Sequence, residues 1–188
     1  MNATFLKAKF DAGLEYDAYL ATDAEKGARW RELGTKLSLH DDQARLISGF
    51  TRRMNVLVSS GIWCGDCVAQ GPMIDTIRAA NPAAIAVRWL DRDEHMDLSE
   101  QIMINQGLRV PTVIFMAEDF EPVSILGDRT LSRYRAMAAK QLGPSCPLPG
   151  APVPQDELDA TLQEWLDEFE RVHLILRLST RLREQHGD

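Results

Sequence analysis

Asn55-Val56-Leu57-Val58-Ser59-Ser60-Gly61, followed at once by Ile62-Trp63-Cys64-Gly65-Asp66-Cys67, is the stretch on which the fold turns. Its first half is a short, β-branched apolar run closed by glycine, the pattern of a buried strand. Its second half sets two cysteines three apart where a helical pattern begins, with Met73, Ile74 and Ile77 spaced for one face. Two cysteines at such a junction can close a small disulfide ring. The helix N-terminus offers unpaired N–H groups and a partial positive charge, which favour thiolate at Cys64. Cys67, one turn deeper, is then placed to attack a mixed disulfide formed on Cys64.

Downstream, residues 85–91 read as a second strand, so the helix between the two strands makes a βαβ unit with a parallel pair. A polar turn, Asp91-Arg92-Asp93-Glu94, leads to a helix predicted across 97–106. Residues 112–116 and 122–126, separated by Glu118-Asp119, read as an antiparallel hairpin, and a helix over 131–142 completes an α/β sandwich. Upstream, residues 1–53 read as a helical extension packed on this core. Thr22 and Glu25 form a capping-box pattern for a helix carrying Trp30 and Leu33 and stopping at Gly34. Ser38 or Asp41 is expected to cap the next helix, with Leu46, Ile47 and Phe50 on one face. Residues 54–142 are the central domain, and 143–155, with five of the nine prolines, are a linker or wrapping loop. Residues 156–183 read as one amphipathic helix with a stripe of Leu158, Leu162, Trp165, Leu166, Phe169, Val172, Ile175 and Leu176. That stripe must fold back on the domain or meet a second subunit, as in a homodimer.

Composition narrows the function classes. A hydrophobic fraction of 45% and a charged fraction of 26% suit an ordinary globular domain. A net charge of −7 argues against nucleic acid as a partner, since that needs a concentrated basic face. No apolar run approaches the roughly 20 residues that cross a bilayer. The start, Met1 to Lys9, lacks a basic segment followed by an apolar one, so no membrane association and a cytoplasmic location are expected. Three cysteines do not make a disulfide-stapled secreted fold.

Trp63-Cys64-Gly65-Asp66-Cys67 resembles the active-site pentapeptide of the thioredoxin family, usually Trp-Cys-Gly-Pro-Cys. Pro72 resembles the proline of that family's active-site helix, and Val110-Pro111-Thr112 its cis-proline segment; the match covers about residues 50–142. The resemblance implies a thioredoxin fold, a mixed central sheet flanked by helices, with Cys64 and Cys67 as catalytic residues of a thiol–disulfide oxidoreductase. It implies substrate docking by Trp63, Gly65, Asp66, Val110, Pro111 and Thr112, with Pro111 cis. Protein or low-molecular-weight disulfides would be the substrates, and an external reductase or thiol the electron donor. No bound cofactor is needed.

Two departures from the family pattern carry expectations. Asp66 stands where proline is usual. A carboxylate there opposes a second negative charge at Cys64, which would make the couple more reducing. Val58, six residues before Cys64, stands where the family usually buries a proton-moving carboxylate; Asp66 could act as local acid or base instead, and its reach to Cys67 is not legible in the sequence. A general-purpose reductase is therefore not expected.

Other readings stand beside these. Zinc needs four ligands, and Cys146, His40, His95, His173 and His186 show no pairing at ligand spacing, so no metal is expected. Cys146 reads as an unremarkable thiol and the histidines as surface or capping residues. Trp63 reads as a flat docking surface, whereas Trp30, Trp89 and Trp165 read as core. Arg109 is a solvated loop charge, or else it favours acidic partners. A scaffold module using the helical extensions is the alternative function, supported by the Trp165-centred stripe.

Overall fold

The computed structural model describes residues 1–142 and 156–188. Strand β1 (Met54–Ser60) lies near the middle of a four-stranded sheet of order β2-β1-β3-β4. It pairs in parallel with β2 (Ile85–Asp91) and antiparallel with β3 (Thr112–Met116), which turns back into β4 (Pro122–Gly127). All seven residues of β1 are buried, because both of its faces are covered, which explains the unbroken apolar run.

Alternation along β1 divides the core. Val56 and Val58 face a cluster with Ile74 and Ile77 of helix α5 (Gly65–Ala80). Leu57 points the other way, against Leu6 and Phe10 of α1 (Ala3–Ala12), with Ile114 and Met116 of β3. The helices α2 (Tyr16–Ala21), α3 (Ala24–Gly34) and α4 (Asp41–Ser48) add Tyr19, Leu20, Trp30 and Ile47 to the α5 side. They complete the core around the dithiol.

The stripe on α8 (Glu157–Leu178) is buried against this chain's own core through Leu162, Trp165, Leu166, Phe169, Val172 and Leu176. Phe169 meets Phe115 of β3 edge-to-face, their centroids 5.1 Å apart. The face that suggested a homodimer or a scaffold is thus already occupied within the chain. Ile175, counted in the stripe, remains 39% exposed.

Several boundaries differ from the expected ones. Asp23, not Thr22, caps α3: its Oδ1 accepts the Lys26 N–H at 3.0 Å, while the Thr22 hydroxyl donates to the Tyr19 carbonyl and closes α2. His40, rather than Ser38 or Asp41, occupies the cap position of α4. The helix expected over 97–106 shrinks to α6 (Met96–Ser99), because Asn105 and Gln106 adopt φ of 48° and 58° in a tight turn bridging Ile104 to Gly107. The C-terminal helix is not continuous to 183. Ser179 leaves helical geometry, and its hydroxyl accepts the Leu182 N–H, starting α9 (Thr180–His186). The helix over 131–142 is α7 (Leu131–Leu142). The linker at 143–155, and Cys146 within it, lie outside the described residues. Among the described residues no helix is long and apolar enough to cross a membrane.

Candidate active site

β1 ends at Ser60, the chain turns through Gly61 to Trp63, and Cys64 occupies the cap position of α5 with extended backbone. Cys64 is half-buried and Cys67 fully buried, and both are free thiols. The two sulfurs therefore differ in kind. Hydrogen bonding from Cys67, and from the backbone N–H groups of Cys67 and Asp66, outweighs partial burial and lowers the Cys64 pKa to about 6. Burial, reinforced by the neighbouring Cys64, pushes the Cys67 thiol well up. One sulfur is poised as a thiolate at neutral pH and the other is held as a protonated thiol.

Asp66 is not the isolated charge its position suggested. Arg129 Nη2 lies 2.5 Å from one carboxylate oxygen and Arg133 Nη2 2.7 Å from the other, all three side chains being 16–17% exposed. Burial alone would raise the Asp66 pKa, but these two guanidiniums hold its carboxyl below the usual range. The repulsion of Cys64 thiolate by Asp66 is thereby partly offset, and it is weaker than the hydrogen bonds from Cys67 and the backbone that favour the thiolate. The expected push toward a more reducing couple keeps its direction but is weakened by the two guanidiniums. A carboxylate gripped by two arginines is also a poor proton carrier, so Asp66 does not replace the missing family carboxylate. Val58 is fully buried, registered between Trp89 and Val113.

The docking residues divide. Trp63 is 48% exposed beside the nucleophile, and the Arg92 guanidinium sits 4.8 Å from its ring centroid. Gly61 makes this placement possible, since a Cβ there would stand 2.8 Å from the Trp63 ring. Gly65 is exposed at the start of α5. The Val110–Pro111 peptide is cis, and the Val110 carbonyl lies 3.7 Å from Cys64 Sγ, which donates to it only when protonated. Val110 and Pro111 are buried apart from this backbone approach. Thr112 offers no side chain: it is fully buried, its hydroxyl donating to the Arg109 carbonyl at 2.9 Å. Arg109 is half-exposed and 3.8 Å from buried Asp128.

Sequence reasoning did not single out the groups that hold this site. Trp30, on α3, donates its Nε1–H to the Ile62 carbonyl at 3.2 Å and so fixes the turn before Cys64. Gln70, buried on α5, donates to the Asp128 carbonyl at 2.9 Å and accepts from Trp165 Nε1 at 3.2 Å. The α5 helix is thus tied both to the turn after β4 and to α8. Local signals existed: a glutamine four residues after Asp66 on an otherwise apolar face, and arginines four apart at the start of α7. Of the histidines, His173 is neither surface nor cap. It is buried, stacked on Phe50 at 4.3 Å, with Nε2 accepting the Thr51 N–H at 3.1 Å. Among the described residues no group of three or more His, Cys, Asp or Glu is arranged to hold a metal ion.

Comparison with known proteins places this geometry. The profile of a family described as thioredoxin matches residues 13–140. Among solved structures, a protein of unknown function from Pseudomonas aeruginosa is 16% identical with a TM-score of 0.68, over 87% of this chain and 93% of that one. An HIV epitope-scaffold is 18% identical with a TM-score of 0.62, over 93% of this chain and 98% of the other. At these identities the likeness is one of fold, and it takes in most of the chain rather than the central sheet alone. The germline-specific thioredoxin Deadhead of Drosophila melanogaster is 19% identical, over 54% of this chain and 92% of its own, with a TM-score of 0.37. No curated protein matches the sequence.

Proposed function

The chain belongs to the thioredoxin family, and from that premise we propose that it is a thiol–disulfide oxidoreductase working through Cys64 and Cys67. The asymmetry of the dithiol carries this reading: a half-buried thiolate with a pKa of about 6 and, one turn on, a buried thiol held protonated. Cys64 thiolate attacks a partner disulfide, forms a mixed disulfide and releases the first partner thiolate. Cys67 then attacks Cys64 Sγ, closes the intrachain disulfide and releases the second. The partner gains two electrons and the dithiol loses them. A reductase or low-molecular-weight thiol, acting from outside, restores the reduced pair.

Substrate docking falls to the exposed ring of Trp63, to Gly65, and to the backbone at Val110-Pro111, whose carbonyl already points at the nucleophile. Protein or small-molecule disulfides in a cytoplasmic setting are the proposed substrates, and the chemistry calls for no resident cofactor. Insulin reduction with dithiothreitol as donor tests the activity. Turnover by the native protein, lost in Cys64→Ser, is the expected outcome; equal rates for the two would end this reading.

A further inference from the structure

Resolution requires Cys67 to lose a proton in a place where thiolate is strongly disfavoured, and no carboxylate is available to help. Val58 lines that side of β1, and the Asp66 carboxylate is held by Arg129 and Arg133. Behind Cys67 lie hydroxyls instead. Ser60 Oγ stands beside the Cys67 sulfur and Tyr19 Oη beside Ser60, near enough for each to bias its neighbour's protonation. Ser60 is fully buried and Tyr19 is 2% exposed, yet neither hydroxyl has a hydrogen-bond partner among the described residues. The Tyr19 ring is fixed between Trp89, stacked at 5.8 Å, and Trp30, edge-on at 5.8 Å. Trp89 Nε1, in the same cluster, is also buried without a partner.

Buried hydroxyls left unpaired are rare, because each forfeits hydrogen bonds it would make in water. Donors held in place and unused before a charge develops are the arrangement that stabilises that charge with little reorganisation. We propose that Ser60 and Tyr19 are positioning residues for the resolving step, forming a hydrogen-bonding hole in which the Ser60 hydroxyl donates to the Cys67 thiolate and the Tyr19 hydroxyl donates to Ser60. In that step the Cys67 sulfur bonds to Cys64 Sγ, the bond from Cys64 to the partner sulfur breaks, and the partner leaves as a thiolate. The proton given up by Cys67 is balanced by the one the leaving thiolate takes from solvent. The ionisable groups acting on the pair are Cys64, Cys67 and Asp91 at the end of β2.

The inference rests on the dithiol reading above, and one reagent separates the two. In a Cys146→Ser background, which leaves only the two site thiols, excess dithiobis-nitrobenzoate releases one coloured thiolate when Cys64 attacks and a second when Cys67 resolves. In Ser60→Ala and in Tyr19→Phe the first phase is expected to match the native protein. The second is expected to slow about tenfold at neutral pH, its profile displaced about one unit upward. Both variants remove hydroxyls that bond to nothing, so the fold is retained, as circular dichroism will read. Second phases unchanged in both variants, or both phases slowed alike with no displacement in pH, overturn the hole. A second equivalent that persists in Cys67→Ser overturns the dithiol reading itself.

Discussion

Arg133 Nη2 lies 2.7 Å from Asp66 Oδ1, joining residues 67 apart in the sequence. The same guanidinium reaches Glu157 at 2.8 Å, so the loop between the cysteines is tied through α7 to the first turn of α8. Replacing both Arg129 and Arg133 by Gln strips the Asp66 charge of its partners while leaving it beside Cys64. The Cys64 pKa is then expected to rise by about 0.5–1 unit, and folding stability to fall by about 1–3 kcal/mol. Adding Asp66→Asn to the double variant should return the pKa toward its native value. Iodoacetamide alkylation across pH reads the first effect and urea unfolding the second; no pKa change would mean that the ion pairs do not govern this thiol.

The native Cys64 profile is itself a prediction. With a folded pKa of about 6 against an ordinary thiol near 9, alkylation should rise through a midpoint near pH 6 and level off by about pH 8. The linkage has a definite sign. A depressed pKa adds stability to the reduced protein that is fully present above the unfolded value and is lost as pH falls through 9 to 6. Comparison with Cys64→Ala isolates that contribution. Alkylation that keeps climbing past pH 9 would show that the Cys67 thiol and the N-terminal amides of α5 together do not stabilise the thiolate.

What the sequence reveals here is local, and what it hides is distant. The β1 run, the cysteine spacing and the hairpin are each defined within about ten residues, where periodicity and turn chemistry act directly. The pentapeptide gives the sign of the Asp66 influence on Cys64, but its size depends on Arg129 and Arg133, brought close only by folding. The α8 stripe declares that it must be buried but not where, and the answer lies in Phe115 of β3 and Gln70 of α5. The missing helical turns after Ser99 reflect Asn105 and Gln106 in left-handed geometry, which apolar spacing does not signal.

Gly71 shows how closely the N-terminal helices are fitted to the site. A Cβ at this position would stand 2.0 Å from the Trp30 ring. Alanine favours a helix interior over glycine by about 1 kcal/mol, whereas overpacking a core costs about 1–3 kcal/mol. A contact that short puts the clash at the upper end of that range, so Gly71→Ala is expected to destabilise the protein by a net of about 2 kcal/mol in urea. Because Trp30 also holds the Ile62 carbonyl, the Cys64 alkylation profile should move with it. A stabilised variant would mean that Trp30 has room to retreat.

His173 makes the acid limb of stability testable. Burial, with the nearby charges of Arg177 and Arg52, holds its pKa below the ordinary 6.5, and its Nε2 accepts the Thr51 N–H only while unprotonated. The unfolded chain therefore takes up a proton at a higher pH than the folded one. Stability should fall as pH drops below about 6.5, and go on falling until the folded histidine itself titrates. The carboxylates of Asp97 and Asp188, held low by Lys9 and Arg52, respond in the same direction only at more acid pH. His173→Gln keeps an acceptor in place of the ring nitrogen but cannot titrate, and it also loses the stacking on Phe50. It should be less stable at neutral pH, yet its stability should change less between pH 7.5 and 5.5 than that of the native protein. Urea unfolding at the two pH values measures the difference directly, and equal slopes for the two proteins would place the acid sensitivity elsewhere in the molecule.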